Sequence, residues 1–325
     1  MDCTVVIPTR GRPGLLAMTI DSVREQSDPP EAVVVVVDGP DEPSADLAGS
    51  MGCKIVRHAA PRGAGAARNS GVHAATTNWV AFLDDDDLWH PDWLRAAQAY
   101  ISARPDVVAL NAGYWTFGDA SGVDLRANDL AGCLALLPTQ AGDMGYLQIT
   151  GRSFDLLLER NRGVISTAVV RRDVLLEAGG FPEGMTCAED WMMFINVARL
   201  AEWHVVPGRW SLVRRHSGNN TNTNPTNGVV SLAAISDVWR TQQAAPAHRT
   251  LVEYGETYRW HVQHTAWHAL RHCRFDLARE AWKHGRQLLP RRVDRLYGYL
   301  PPQVTHRLGQ FRGYCPASKF GDGYR

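Results

Sequence analysis

No two of the six cysteines form a C-x-x-C pair; they stand at 3, 53, 133, 187, 273 and 315. That spacing suggests neither a zinc site nor a disulfide ladder, so free thiols in a reducing compartment are expected. Long apolar runs are also missing. The stretch Ala32 to Val37 is typical of the longest, and it is far too short to cross a bilayer. The opening "CTVVIPT" has no basic region followed by a long apolar segment, so no signal peptide and a cytoplasmic location are expected. Neither sign of charge is in excess: 34 basic residues balance 34 acidic ones. The chain as a whole therefore shows no electrostatic preference for nucleic acid or anionic membrane.

What is present begins with alternating strand and helix signals. Strand patterns read at "CTVVIPT" (3–9), "AVVVVVDG" (32–39), "CKIVRH" (53–58), "NWVAFLD" (78–84) and "DVVALN" (106–111). Helical spacing lies between them at 13–27, about 43–50, 64–75 and 91–104. The second strand is apolar on both faces, as a central parallel strand should be. This order predicts an α/β fold, a Rossmann-like, mostly parallel sheet covered on both faces by helices. From 112 to 162 the periodicity weakens into a loop-rich insertion with one helix near 153–161. Strand then helix return at 163–181, a helix at 189–201, and two short strands at "WHVVP" (203–207) and "WSLVRRH" (210–216). A polar loop at 217–228 precedes a helical appendage over 229–325, with a hairpin at 258–290 broken near Arg274–Asp276. The expected division is a catalytic domain at 1–228, in halves 1–111 and 112–228, and the extension. From residue 240 onward 15 basic residues face 6 acidic ones, so the neutral total hides a basic tail. Packing against the rest of the chain is the favoured reading of that tail, with peripheral membrane contact as the alternative. No nucleic-acid-binding motif accompanies the charge.

The stretch "FLDDDDLWHPDW" places four aspartates, Asp84 to Asp87, directly after an apolar strand. Asp38 ends the second strand. In open parallel sheets, ligands bind in the crevice outside the carboxyl ends of the strands. Clustered carboxylates there suit a hard divalent cation, Mg²⁺ or Mn²⁺, especially when phosphate completes the shell. The structural alternative is a solvated turn capping the helix that begins near Pro91. Asp38 could likewise serve only to cap a turn with Gly39, Glu189 and Asp190 only to satisfy a helix N-terminus, and "GGF" only to end a helix.

The segments "VVIPTRGRPGLL", "VVVVDG", "GAGAARNSG", "FLDDDDLWHPDW", "EAGGF" and "AEDWMMFINVARLA" resemble, in order and spacing, the family 2 glycosyltransferases of GT-A fold. The likeness covers roughly residues 3–216. It implies a metal-dependent, inverting transferase that uses a nucleotide-sugar donor, commonly a UDP-sugar, and a hydroxyl-bearing acceptor on a saccharide, lipid-linked glycan or natural product. By this resemblance Pro8, Thr9 and Arg10 floor the nucleotide site, Asp38 accepts an N–H from the base, and Arg68 reaches base or diphosphate. Asp84 faces ribose or donor sugar, Asp85 helps place the donor, and Asp86 binds the metal. His216 is a second candidate on the metal or diphosphate, and Arg214 and Arg215 could meet phosphate oxygens. Asp190 is implied as the general base, with Gly180, Glu189 and Trp191 toward the acceptor. Asp87 is expected to support the loop. The loop before "GAGAARN" departs from the family pattern, with Pro61 where Asn is usual, followed by Arg62. Competing readings are a sugar-phosphate nucleotidyltransferase, for which "EDW" has no place, and an inactive glycan- or nucleotide-binding scaffold.

Overall fold

The computed structural model describes residues 1–118, 150–216, 226–241, 251–271 and 273–288. Most of the predicted 112–162 insertion, most of the 217–228 loop and the end of the basic tail lie outside the described residues. The chain divides into two compact units, Met1–Thr223 and Asn224–Arg325.

The first unit opens with β1 (Cys3–Thr9), α1 (Pro13–Arg24), β2 (Ala32–Asp38), α2 (Glu42–Ser50), β3 (Lys54–His58), α3 (Ala64–Ala74) and β4 (Trp79–Phe82). After β5 (Leu88–Trp89), α4 (Trp93–Ser102) and β6 (Ala109–Phe117), the described chain resumes with α5 (Ser153–Glu159), β7 (Val169–Arg171), α6 (Arg172–Glu177), α7 (Glu189–Ala198) and β8 (Trp203–Arg214). These strands form one sheet in the order β3-β2-β1-β4-β7-β6-β8-β5. β1 runs parallel to β2 and β4, β2 to β3, and β6 to β8. β7 runs antiparallel between β4 and β6, and β5 antiparallel to β8.

Every residue of β1 is buried, because helices cover both faces of the central strands. Glycine lets α3 sit close: a Cβ on Gly71 would overlap the Val6 side chain of β1. The core joins Val5, Ile7, Val35 and Val37 of the sheet to Leu16 and Ile20 of α1 and to Trp89, Trp93 and Leu94. One expectation is corrected here. "WHVVP" and "WSLVRRH" are not two strands but the single twelve-residue β8. Its pairing with β6 slips at Ala112–Gly113 and Gly113–Tyr114, and this irregularity absorbs Pro207 and Gly208, which read as a break in the sequence. The two-residue β5, unpredicted, is made by Leu88 and Trp89 pairing with Leu212 and Ser211.

The second unit contains α8 (Asn227–Thr241), α9 (Leu251–Arg271) and α10 (Phe275–Leu288). α9 and α10 form the predicted hairpin. Cys273 stands at φ 55° in the turn. Gly285 permits the helices to approach, since a Cβ there would lie 2.9 Å from Val262.

Candidate active site

The four aspartates leave the end of β4 together but go to different places. Asp87 is fully internal: Ser166 Oγ donates to its Oδ2 at 2.5 Å and the Arg214 backbone N–H to its Oδ1 at 2.8 Å. Burial, with the charges of Asp86 and Asp84, holds its carboxyl well above the usual range. It supports the turn. Asp85 is also buried, and Thr9 Oγ1 donates to its Oδ2 at 2.7 Å. Burial is the largest influence on Asp85 and, with Asp86 and Asp84, pushes it up to about 6 against the pull of Arg12 and Thr9.

Arg12 is the residue that sequence reasoning missed. Its guanidinium bridges Asp85 and, through Nη1 at 2.7 Å, Asp86 Oδ2. Burial alone would lower its pKa, but Asp85, Asp86 and Asp84 outweigh that and raise it. Arg10, two residues earlier, is exposed. Both arginines stand in "PTRGR", and only the backbone path through Gly11, at φ 70°, decides which one turns inward. Asp86 Oδ2 also lies 3.0 Å from His216 Nε2, so two residues 130 apart in sequence meet at one oxygen. Arg214 donates from Nε to the Asp86 carbonyl at 3.0 Å and lies over the Phe117 ring, 4.3 Å from its centroid.

Asp84 points the other way, toward α3. Arg68, 4% exposed, donates from Nη2 to Asp84 Oδ1 at 2.7 Å and from Nη1 to Glu189 Oε1 at 2.8 Å. Burial opposes its charge, but Asp84 and Glu189 raise its pKa further. A rigid fork suits this bridge between two carboxylates. It ties the strand-end turn to the first turn of α7, where Glu189 and Asp190 stand at the helix N-terminus. Asp190 accepts Asn161 Nδ2 at 3.3 Å and its neighbour's N–H, Trp191, at 2.7 Å. Burial, with Glu189 beside it, pushes Asp190 up to about 6 against Arg68.

Pro8 is buried in β1, in register with Val36. Asp38 closes β2, 6% exposed, and accepts from Arg62 N at 2.8 Å, Gly63 N at 2.9 Å and His58 Nδ1 at 2.7 Å. It therefore pins the loop that contains Pro61. Burial would raise Asp38, but these donors outweigh it and hold it below the usual range. The Arg62 side chain meets Glu183 at 2.9 Å. Gly180, at φ 68°, is buried beside α3: a Cβ there would lie 2.6 Å from Asn69 Oδ1. Asn69 brackets the next residue, accepting Phe181 N at 2.9 Å and donating to Phe181 O at 2.8 Å. Trp191 is not brought to the surface. It is 5% exposed and donates its indole N–H to the Leu157 carbonyl at 2.7 Å, which places it in the core between α7 and α5. Trp89 and Trp93 are core residues as well.

Outside the carboxyl ends of β1 and β2 lies a cleft of about 380 Å³, lined by Arg10, Gly11, Asp38, Gly39, Asp41 and Pro61 among others. The acidic turn, the start of α7 and this cleft thus surround the place where open α/β sheets bind ligands. Residues 4–126 match the family described as Glycosyl transferase family 2. The matched segment contains β1 to β4 and the four aspartates. Over 207 residues it is 29% identical to the pre-mycofactocin glycosyltransferase of Mycobacterium tuberculosis, covering 61% of this chain but only 40% of that protein. The succinoglycan biosynthesis protein ExoW of Rhizobium meliloti is 37% identical over 129 residues, 36% of this chain and 39% of its own. Among solved structures, TarS 1–349 of S. aureus in complex with UDP-GlcNAc superposes with TM-score 0.65 at 16% identity, covering 97% of this chain and 88% of that one. The mannosyltransferase PcManGT of Pyrobaculum calidifontis, in complex with GDP-Man and Mn²⁺, gives 0.54 at 15% identity, covering 96% and 81%. The fold of the domain is GT-A. Among the described residues no helix is long and apolar enough to cross a membrane.

Proposed function

We propose that this chain transfers a sugar from a nucleotide-sugar donor, a UDP-sugar, to an acceptor hydroxyl with inversion at the anomeric carbon. The observation that carries the reading is the Arg68 fork. It holds Asp84, at the strand end, and Glu189, beside Asp190, on one guanidinium. The carboxylates of the donor side and a carboxylate fit to take a proton are thereby fixed in one crevice.

The nucleoside occupies the cleft between Arg10, Asp38 and Pro61, and Asp84 faces the ribose or sugar. Asp86 and His216 are the residues that would hold a divalent cation. Their facing atoms, Oδ2 and Nε2, are 3.0 Å apart and form a mixed pair, a hard carboxylate oxygen and a borderline imidazole nitrogen, that suits Mn²⁺ better than Mg²⁺. Among the described residues no group of three or more His, Cys, Asp or Glu side chains could hold an ion, so phosphate oxygens would complete the shell. When bound, the cation neutralises charge on the departing diphosphate.

Asp190 takes the proton from the attacking hydroxyl. A carboxylate held near 6 is mostly ionised at neutral pH and a stronger base than an exposed one. Attack opposite the leaving diphosphate inverts the anomeric centre. Glu189 stays on Arg68 and keeps the first turn of α7 in place. The loop at Gly180 and Phe181, clamped by Asn69, borders the acceptor side.

The test is a screen of nucleotide sugars for metal-dependent donor hydrolysis and transfer, run on the wild type and on Asp190→Asn. The reading expects a UDP-sugar to be consumed and Asp190→Asn to lose transfer while still binding UDP. Near-normal turnover by that variant would sink the base assignment. Pyrophosphate release from a nucleoside triphosphate and sugar phosphate would replace the reading with a nucleotidyltransferase.

A further inference from the structure

A hydrogen-bonded relay runs behind the nucleotide cleft. Ser70 Oγ of α3 lies 2.9 Å from His58 Nε2, and His58 Nδ1 lies 2.7 Å from Asp38 Oδ1. His58 and Asp38 are buried, 8% and 6% exposed, Ser70 is half-buried, and Asp38 also lines the cleft. An ionised carboxylate only accepts, so Nδ1 carries a proton and donates it to Asp38. The arrangement resembles a hydrolytic triad, but its serine end is at α3 and its carboxylate end at the cleft. Asp38 is the end that can meet a ligand.

The acceptor positions of Asp38 limit what that ligand can be. A carboxylate has about four lone-pair sites, two on each oxygen. On Asp38 Oδ1 both are taken, by His58 Nδ1 and by Arg62 N at 2.8 Å. On Oδ2 Gly63 N at 2.9 Å takes one. One site remains, on Oδ2. Uracil and thymine present a single ring N–H between two carbonyls. Guanine presents a ring N–H and an amino group side by side, and needs two adjacent acceptors. Against Asp38 its second donor would meet an oxygen already saturated and would stay unsatisfied in a desolvated site.

We propose that His58 is a specificity-determining residue: by occupying Asp38 Oδ1 it limits the cleft to a base with one ring N–H, a pyrimidine-2,4-dione, and disfavours guanine. The inference rests on the assignment of the cleft to a nucleoside diphosphate in the proposed function. His58 acts through Asp38 and touches no substrate atom.

Isothermal titration of the full chain with UDP, dTDP and GDP, each in the presence of Mn²⁺, tests both statements separately. Wild type should bind UDP or dTDP about tenfold or more tightly than GDP, the order expected for one unpaired donor. His58→Leu frees a lone pair on Oδ1 and should move the ratio toward equality. His58→Asn, whose side-chain N–H can replace Nδ1–H, should restore the preference. A purely structural role would weaken all three nucleotides alike and leave the ratio fixed, which overturns the inference. GDP binding to wild type as tightly as UDP also overturns it, and this measurement decides alone if His58→Leu does not fold. Failure of all three nucleotides to bind overturns the functional reading instead.

Discussion

Asp190 and Arg68 concentrate the chemistry at the scale of single residues. Asp190→Asn should reduce transfer by about 10²–10⁴, the usual contribution of a general base, with UDP affinity nearly unchanged by titration. In the wild type, kcat/KM should fall on the acid side with a limb near 6, because burial and Glu189 place the Asp190 carboxyl there. The same shift bears on stability with a definite sign. A carboxyl raised in the folded state favours folding at pH values below its unfolded range, and that contribution is lost as pH rises through about 6. Asp190→Asn cannot ionise, so it should melt above the wild type at pH 7 and level with it only below about pH 3. Arg68→Met leaves Asp84 and Glu189 facing each other without a cation. It should cost about 3–5 kcal/mol by denaturant titration, the typical effect of breaking a buried pair. Arg68→Lys should recover only part, since one ammonium cannot reproduce the fork between two carboxylates.

At the scale of elements, α3 is the part on which the site is assembled. It contacts β1 through Gly71 and the 180–183 loop through Gly65, where a Cβ would lie 2.6 Å from the Pro182 carbonyl. Its polar side chains reach out from the same helix: Arg68 to β4 and α7, Asn69 to Phe181, Ser70 to His58. Small residues in "AGAARNSGVHAA" are what allow a helix to sit so close that these short reaches succeed. Gly71→Ala should therefore destabilise the chain by about 1–3 kcal/mol, as overpacking does, and shift α3 away from Val6. Gly65→Ala should disturb the acceptor-side loop more than the sheet. Its signature would be weakened transfer with nucleotide affinity largely kept, measured by comparing kinetics with UDP titration.

For the whole molecule, ligand binding should appear as stability. The acidic turn is held by Arg12, Arg68 and His216 from three separate parts of the chain, so a cation and nucleotide bound there add contacts across the first unit. UDP with Mn²⁺ at about 100 times its dissociation constant should add about 2.7 kcal/mol, read as a higher melting temperature. Mn²⁺ alone should raise it less, because among the described residues Asp86 and His216 are the pair offered to it.

The sequence by itself determined the alternation of strand and helix from β1 to β4, the parallel block those strands form and the α9–α10 hairpin, because hydrophobic period and Gly/Pro punctuation are local signals. It also placed acid at the end of β4 and at the start of α7. What only the tertiary structure decided was the partner of each charge. Arg12 rather than Arg10 reaches Asp85 and Asp86, His58 holds Asp38 from 20 residues away, and Trp191 turns into the core beside the acid it follows. β8 runs through Pro207 and Gly208 because β6 pairs with it on both sides of the slip. Hydrogen-bond partners and burial are set by chain segments that meet in space, and a local pattern carries no record of them.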